Sequence, residues 1–521
     1  MASVAAPATA SAAPHRAEPA PLTGGKLVLA GFVLALANFV VVLDTTIANV
    51  SVPHIAGGLA ISPSQGTWAI TSYAVADAIS VPLSGWLAAR FGTVRWFLYS
   101  LVGFAVFSFL CGVSGSLEAL VVFRIFQGLS GGPLMPLSQA LLMRVFPPHL
   151  RGAALGLWAM TTVCAPIAGP ILGGYISDNW TWPWIFFINL PIVLICIFAV
   201  GRLVTPFETP VAKAPIDVIG LILLVVWVGA FQLMLDTGRE NDWFASPFVT
   251  AMAVIAAVGL PAFIIWELGE ENPIVDIRIF RYRGFTAGTI AVALGFGAFF
   301  ASVVLTPLWL QQVVGYTATQ AGYATAFVGV FAVLMSPVAA QMLSKVDARI
   351  TVFGGIMWLG VMSLLRANWS TESDFWQLAM PQLLQGFGMP FFFIGLTAIA
   401  LASVKPSETT SAAGIMSFVR TLCGAIGTAM ATTAWEGASR VSRSDMVPSL
   451  NGVQPTIDAL EARGFTPLQS QGVIDRLVDA QSATVGATHV FIYAFIVFMI
   501  AAAFVWLAPR PNRAVDMAEA H

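Results

Sequence analysis

Apolar residues run along this chain in stretches far longer than a soluble core helix needs, and polar residues gather in short intervals between them. A helix rises about 1.5 Å per residue, so roughly 20 apolar residues cross the 30 Å hydrocarbon core of a bilayer. About fourteen segments meet that length, starting near Leu27, Thr67, Trp96, Leu117, Gly152, Pro183, Pro215, Ala245, Gly284, Thr319, Ile350, Phe375, Thr410 and His489. The pattern predicts an all-α polytopic membrane protein with both termini on one side. Residues 27–203 would form a first six-helix bundle and 284–509 a second. Residues 204–283 would insert a helix pair with its linkers between them. Residues 1–26 and 510–521 are expected as polar tails, the first disordered. It is rich in Ala and Pro without an apolar centre, so it does not read as a cleavable signal peptide.

Composition agrees: 58% of residues are hydrophobic and 10% charged, where a soluble domain is about a quarter charged. The net charge of −2 and the lack of a basic face give no reason for a nucleic-acid partner. Cys111, Cys164, Cys196 and Cys423 lie in apolar segments without CxxC spacing, and the histidines are scattered, so neither a metal site nor a cofactor is expected. No nucleophile, base and orienter cluster and no phosphate-binding GxxxxGK[ST] loop occurs, which argues against an enzyme.

Cytoplasmic loops of membrane proteins hold an excess of Lys and Arg. With a cytoplasmic N-terminus, that side receives Arg90, Arg95, Arg144, Arg151, Arg202, Lys213, Arg278, Arg281, Arg283, Lys345, Arg349 and Lys405, while the short outer loops receive Arg239 and Arg366. Arg124 and Arg420 fall inside membrane segments. A polar stretch from Trp435 to Thr488 is expected as a long outer loop, carrying a short amphipathic helix around Val473 to Ala480.

The chain also repeats. Arg124-Ile-Phe-Gln127-Gly128 recurs as Gln382-Leu-Leu-Gln385-Gly386, and Ala154-Leu-Gly156 as Ala412-Ala-Gly414 with the same displacement. Two such halves around a midplane site are a common design of secondary transporters. Because Arg124 becomes Gln382, the charge chemistry is expected in the first half, and the second half is freer to shape a pocket.

An arginine cannot shed its charge, and placing it in hydrocarbon costs roughly 2.5 to 3.5 kcal/mol, so Arg124 should find a carboxylate. Asp44 on the first helix and Arg124 on the fourth lie at one depth, and they can pair. The carboxylate stays ionised beside the arginine. A cationic ligand or a movement that weakens the contact lets it take a proton, which is the logic of proton coupling; a static pair that only orients helices is the alternative. Asp77 and Arg420 lie near the midplane on the second and thirteenth helices, at a common depth from which a pair could bridge the halves as a gate. Gly128, Gly131 and Gly132 leave one helix face open to a neighbour or a ligand. Thr45, Asn49, Gln127, Gly128, Gln382 and Gln385 are the expected cavity lining. In Gly169-Pro170-Ile-Leu-Gly173-Gly174, proline removes a helical hydrogen bond and glycine permits close crossing, so the fifth helix bends or packs tightly there. Glu118, Asp236 and Glu267 read as solvated helix ends, and Trp182, Trp184, Phe186 and Phe187 as mostly interfacial aromatics.

At Leu43-Asp44-Thr45-Thr46-Ile47-Ala48-Asn49-Val50, at Arg124-Ile-Phe-Gln127-Gly128 and at Ala165 to Gly174, the sequence resembles the major facilitator superfamily. The fit is to its fourteen-helix drug:proton antiporters, nearest to the EmrB-type multidrug exporters, over about Leu27 to Pro509. Ser64-Gln-Gly-Thr-Trp68 and Trp184-Ile-Phe-Phe-Ile-Asn189 resemble the EmrB type in particular. Two departures stand out: Ala89 replaces the aspartate usual in the loop after the second helix, and Ala165 replaces the first glycine of the antiporter motif. The resemblance implies the major facilitator fold. It implies a multi-pass inner-membrane protein with cytoplasmic termini that exports hydrophobic or amphipathic compounds against inward proton flow. It further implies the pump subunit of a tripartite system with a periplasmic adaptor and an outer-membrane channel. A dedicated exporter of one metabolite, such as a siderophore or fatty acid, is the alternative within transporters.

Overall fold

The computed structural model describes residues 22–509 apart from 212–214, 406–407 and 451. The two outermost tails anticipated from sequence therefore fall almost wholly outside the described residues. Among the described residues, twelve helices are long and apolar enough to cross a membrane, and a bent helix makes a thirteenth. Trp68–Phe91 is a further long helix whose sequence is more polar.

In chain order the first half comprises α1 (Gly24–Leu59), α2 (Trp68–Phe91), α3 (Thr93–Gly112), α4 (Leu117–Val145), α5 (Arg151–Asn179) and α6 (Trp184–Leu203). The inserted pair is α7 (Val218–Gly238) and α8 (Pro247–Gly269). The second half comprises α9 (Arg283–Gln312), α10 (Ala318–Lys345), α11 (Ala348–Arg366), α12 (Phe375–Ala402), α13 (Thr409–Ser449) and α14 (Pro467–Val505). Within the first half α1 packs on α5 and α6, and α2 and α3 on α4. Within the second, α10 packs on α12, α9 on α13, and α11 on α12 and α14. The halves meet where α5 lies on α10 and α2 on α13.

Polar residues cap the starts of several spans. Ser116 accepts from Ala119 N at 3.3 Å to open α4, and Asp217 accepts from Gly220 N at 2.8 Å to open α7. Thr317 with Gln320, Asp374 with Gln377 and Thr466 with Gln469 form capping boxes at α10, α12 and α14. At the start of α3 the carboxylate comes from far along the chain. Glu208, in the linker after α6, accepts from Val94 N and Arg95 N, each at 3.0 Å. Gly92, at φ 93°, leaves it room. A Cβ there would stand 2.6 Å from Glu208 Oε1. The turn that lacks an aspartate at 89 is thus pinned by an acid from the linker.

The inserted pair is not a loose appendage. Trp227 of α7 meets Phe418 of α13 edge to face at 5.8 Å. Past the end of α7, Arg239 pairs with Glu436 at 2.7 Å and Trp243 Nε1 donates to Thr433 at 3.1 Å. Glu267, expected to be solvated, is fully buried and accepts from Val275 N at 3.3 Å, because the chain after α8 folds back over it.

One expected loop is helical. Between Trp435 and Thr488, α13 continues as helix to Ser449, a short helix spans Gln454–Glu461, and α14 begins at Pro467. The predicted amphipathic helix around 473–480 is the first part of α14, so polarity marked the departure from the apolar span and not the end of the helix. The two extensions hold each other. Arg443 bridges Asp475 and Asp479, the latter at 2.8 Å, Trp435 Nε1 donates to Ala483 O at 2.8 Å, and bare Gly486 lets α14 lie against the Trp435 and Ser439 backbone.

Candidate functional site

Bare backbone brings α2 and α4 together at the centre of the first half. A Cβ on Gly128 would stand 2.5 Å from Tyr73 O, and one on Gly132 would stand 2.9 Å from Asp77 O. The open face foreseen on the fourth helix is therefore filled by α2, and Gly128 lines no cavity. Gly386 repeats the device in the second half, with Val328 O 2.1 Å from where a Cβ would be.

This packing seats Arg124, fully buried, against Asp44, 1% exposed. Arg124 Nη1 donates to Asp44 Oδ2 at 2.6 Å and to Gln127 Oε1 at 3.0 Å, and Nε donates to Ala69 O at 2.9 Å. Its guanidinium lies 4.1 Å from the centre of the Tyr73 ring and 5.5 Å from that of Phe186. Asp44 Oδ1 accepts from Gln127 Nε2 at 3.1 Å and from Asn189 Nδ2 at 2.7 Å. Asn189 also donates to Ser108 Oγ at 3.1 Å. The depth argument thus finds its pair. What it missed is the company: Asn189, Ser108 and Tyr73 complete the cluster, and Phe186 belongs to it and not to an interfacial belt. Each is an ordinary residue on an apolar helix, and only the rotation of α2, α3 and α6 turns them inward.

Asp77 and Arg420 are not brought together. Asp77 is half-buried on α2 and makes no hydrogen bond or ion pair among the described residues. Arg420, 4% exposed, donates through Nη2 to Met135 Sδ at 2.8 Å and Ser417 Oγ at 3.1 Å. Its charge faces the rings of Trp158 and Phe296, at 4.8 and 5.2 Å to their centres. Arg420 therefore joins the halves through a methionine of α4 and not through Asp77.

The second half holds a buried cation that the repeat pattern concealed. Arg366, assigned by sequence to an outer loop, closes α11 at 1% exposure. Its Nη2 donates to Gln382 Oε1 at 2.9 Å and to Gln385 Oε1. In the first half the equivalent glutamine, Gln127, is met on that side by Cys111 Sγ at 3.5 Å. Ser108 bonds Phe186 O at 2.9 Å and Ser363 bonds Phe491 O at 3.0 Å, so Cys111 and Arg366 each follow a matching serine by one helical turn. The displacement that relates the halves carries Asp44 to Ser302, a buried serine on α9. One half holds a carboxylate with its arginine, and the other an arginine with no carboxylate partner among the described residues.

Of the expected lining, Thr45 is half-buried and Asn49 exposed, whereas Gln127, Gln382 and Gln385 are buried as partners of arginines. In the antiporter motif, α5 is bent by 42° between Ala153–Pro166 and Ile171–Ser177. Gly169 and Gly173 lie against α1, where a Cβ would come within 2.2 Å of Thr46 Oγ1 and 3.1 Å of Ile47 O. Gly174 faces open space, and the side chain of Pro170 lies outside the described residues. Bend and tight crossing thus occur together.

Among the described residues, fourteen long helices, twelve of them in two packed bundles, with an acid, an arginine and two amides enclosed in one bundle, define a multi-pass transporter of the major facilitator type. The Major Facilitator Superfamily model matches residues 34–428, and the chain belongs to that family. It is 43% identical over 475 residues to the multidrug export protein EmrB of Escherichia coli K12, covering 90% of this chain and 93% of that one. It is 42% identical over 474 residues to the fatty acid resistance protein FarB of Neisseria gonorrhoeae, covering 90% and 94%. The solved proton:xylose symporter XylE shares the fold, with a TM-score of 0.56 at 13% identity over 93% of this chain and 96% of that one. The chain is thus similar over nearly its whole length both to a multidrug exporter and to a fatty acid resistance protein of one family.

Proposed function

We propose that this transporter is a secondary active drug:proton antiporter, with Asp44 as the proton-exchanging group and Arg124 as its counter-ion. The observation that carries this reading is a carboxylate enclosed in the membrane and held only by groups on other helices, namely Arg124 and Gln127 of α4 and Asn189 of α6. A movement that parts α1 from α4 would leave the acid in a site of low polarity, where its neutral form is the cheaper one. Restoring the contact would release the proton. Coupling then follows if a substrate or its departure drives that movement. Asp77, one helix away, is a second candidate carrier, and the bend of α5 at Gly169 to Gly174 is where α1 and α5 could shift against each other.

The distribution of Lys and Arg supports an inner-membrane protein with cytoplasmic termini. The helical extensions of α13 and α14 would then stand on the periplasmic side, where exposed Val447, Leu450 and Leu468 offer apolar contacts. This supports assembly with a periplasmic adaptor, and through it an outer-membrane channel. The similarity to FarB favours a second reading, a dedicated exporter of fatty acids.

Uptake into everted vesicles tests the drive. Respiration should energise accumulation of a multidrug substrate, and an uncoupler should abolish it; accumulation that survives the uncoupler while ATP is present would overturn the proposal.

A further inference from the structure

Arg420 is a buried cation that the coupling mechanism does not use. Nη2 has two partners, a serine hydroxyl and a thioether, while Nε and Nη1 have no hydrogen-bond acceptor among the described residues. A guanidinium carries five N–H donors and no means of becoming neutral, and a thioether is a weak acceptor on a flexible chain. The contact to Met135 is thus the one a better acceptor would displace with least cost. Arg420 also keeps 4% of its surface, where Arg124 keeps none.

Its position sets it apart from Arg366, which is enclosed within one half by two glutamine carbonyls. Arg420 stands on α13 at the meeting of the halves, with Met135 and Trp158 from the first and Ser417 and Phe296 from the second. The rings of Trp158 and Phe296 flank the guanidinium and are themselves buried, in the apolar core where the halves meet. A cation with open donors beside two aromatic faces matches a molecule with an acidic head and an apolar body.

We propose that Arg420 is the head-group subsite for anionic amphiphilic substrates. A carboxylate there accepts from the guanidinium in place of Met135 Sδ, while the apolar part enters beside Trp158 and Phe296 when the halves part and uncover these buried rings. This deepens the efflux reading and rests on it. Since the anion would touch both halves, binding it would tie together α4, α5, α9 and α13, the surfaces that must move during transport.

The test uses the full-length protein in phosphatidylcholine nanodiscs, with dodecanoate as probe and dodecyltrimethylammonium as its cationic control. Arg420→Gln should weaken dodecanoate binding by about tenfold or more and leave the control within about twofold. Ser417→Asp keeps the arginine and places an internal carboxylate at its side. It should fold, since it gains an ion pair, and should lose dodecanoate to the same degree. Arg420→Lys should fall between. Unchanged dodecanoate affinity in both Arg420→Gln and Ser417→Asp, or equal loss of both probes, would overturn the subsite. Dodecanoate binding that disappears when phosphatidylglycerol replaces phosphatidylcholine would overturn it in favour of a lipid head-group site, and equal binding in both supports a diffusible solute. Export is read separately in proteoliposomes. Dodecanoate bound with no compound exported sinks the efflux reading alone, whereas wild-type dodecanoate export by Arg420→Gln sinks the subsite alone.

Discussion

Asn189 donates to Oδ1 of Asp44 at 2.7 Å while Arg124 donates to Oδ2 at 2.6 Å, so one carboxylate holds α6 through Oδ1, which Gln127 of α4 shares, and α4 through Oδ2. The charge of Asp44 is thereby a fastener between α1, α4 and α6. Protonation would weaken both ties together, because a neutral acid accepts less strongly than a carboxylate.

Asp44→Asn should keep the fold and lose uphill export. The amide oxygen can still accept from Arg124, and Asn189 can turn to offer its Oδ1, which is buried and has no partner among the described residues, to the new NH2. Substrate exchange down a gradient should persist in proteoliposomes while proton-driven accumulation disappears. Uphill export at the wild-type rate would make the pair structural.

Asn189→Ala removes one tie and leaves the ion pair. A hydrogen bond to a charged group contributes about 1.5 to 3 kcal/mol, so thermal unfolding in detergent should move down by several degrees. Arg124→Ala should cost more, about 3 to 5 kcal/mol, since it strands a buried carboxylate. If the two variants melt together, Asn189 is as important to Asp44 as the arginine is.

Gly128→Ala and Gly386→Ala each push a methyl group into a carbonyl of the facing helix, and overpacking of this kind costs about 1 to 3 kcal/mol. Gly174→Ala adds its methyl to open space and should melt with the wild type. Equal unfolding temperatures for all three would mean that the contacts of α2 with α4 and of α10 with α12 yield without strain.

Replacing residues 446–474 by a short Gly/Ser turn leaves the transmembrane parts of α13 and α14 in place. If these extensions dock a periplasmic adaptor, adaptor crosslinking and drug resistance in cells should fall while transport in reconstituted vesicles persists. Crosslinking at the wild-type level would remove the docking role. Arg443→Ala, which breaks exposed ion pairs worth less than about 1 kcal/mol, should change neither readout.

Helix number and order were legible because a hydrocarbon core demands length and apolarity from every span, and most predicted starts fall within a few residues of the observed ones. The start of α14 was missed by the length of its extension, since a polar helix braced by a neighbouring helix looks in sequence like a loop. Asp44 and Arg124 could be paired from depth alone, because intramembrane charge has few places to go. Depth misled for Asp77 and Arg420, which share a level but face different neighbours. Arg366 was misplaced because it ends its apolar run, and only the inward turn of the last residue of α11 separates a loop arginine from a buried one. Glu208 lies far from the α3 turn in sequence, and no local pattern could have linked them.

The 41-residue helix that carries Arg420 runs about 60 Å at 1.5 Å per residue, roughly twice the thickness of the hydrocarbon it crosses. Arg420 sits where α13 bears on the first half, near the lower third of that rod, and the paired tips of α13 and α14 lie at its far end. The rod is therefore a lever with its short arm in the membrane. A small rotation of one half against the other at Arg420 sweeps the tips through a larger arc, so whatever rests on them would feel each transport cycle as a stroke.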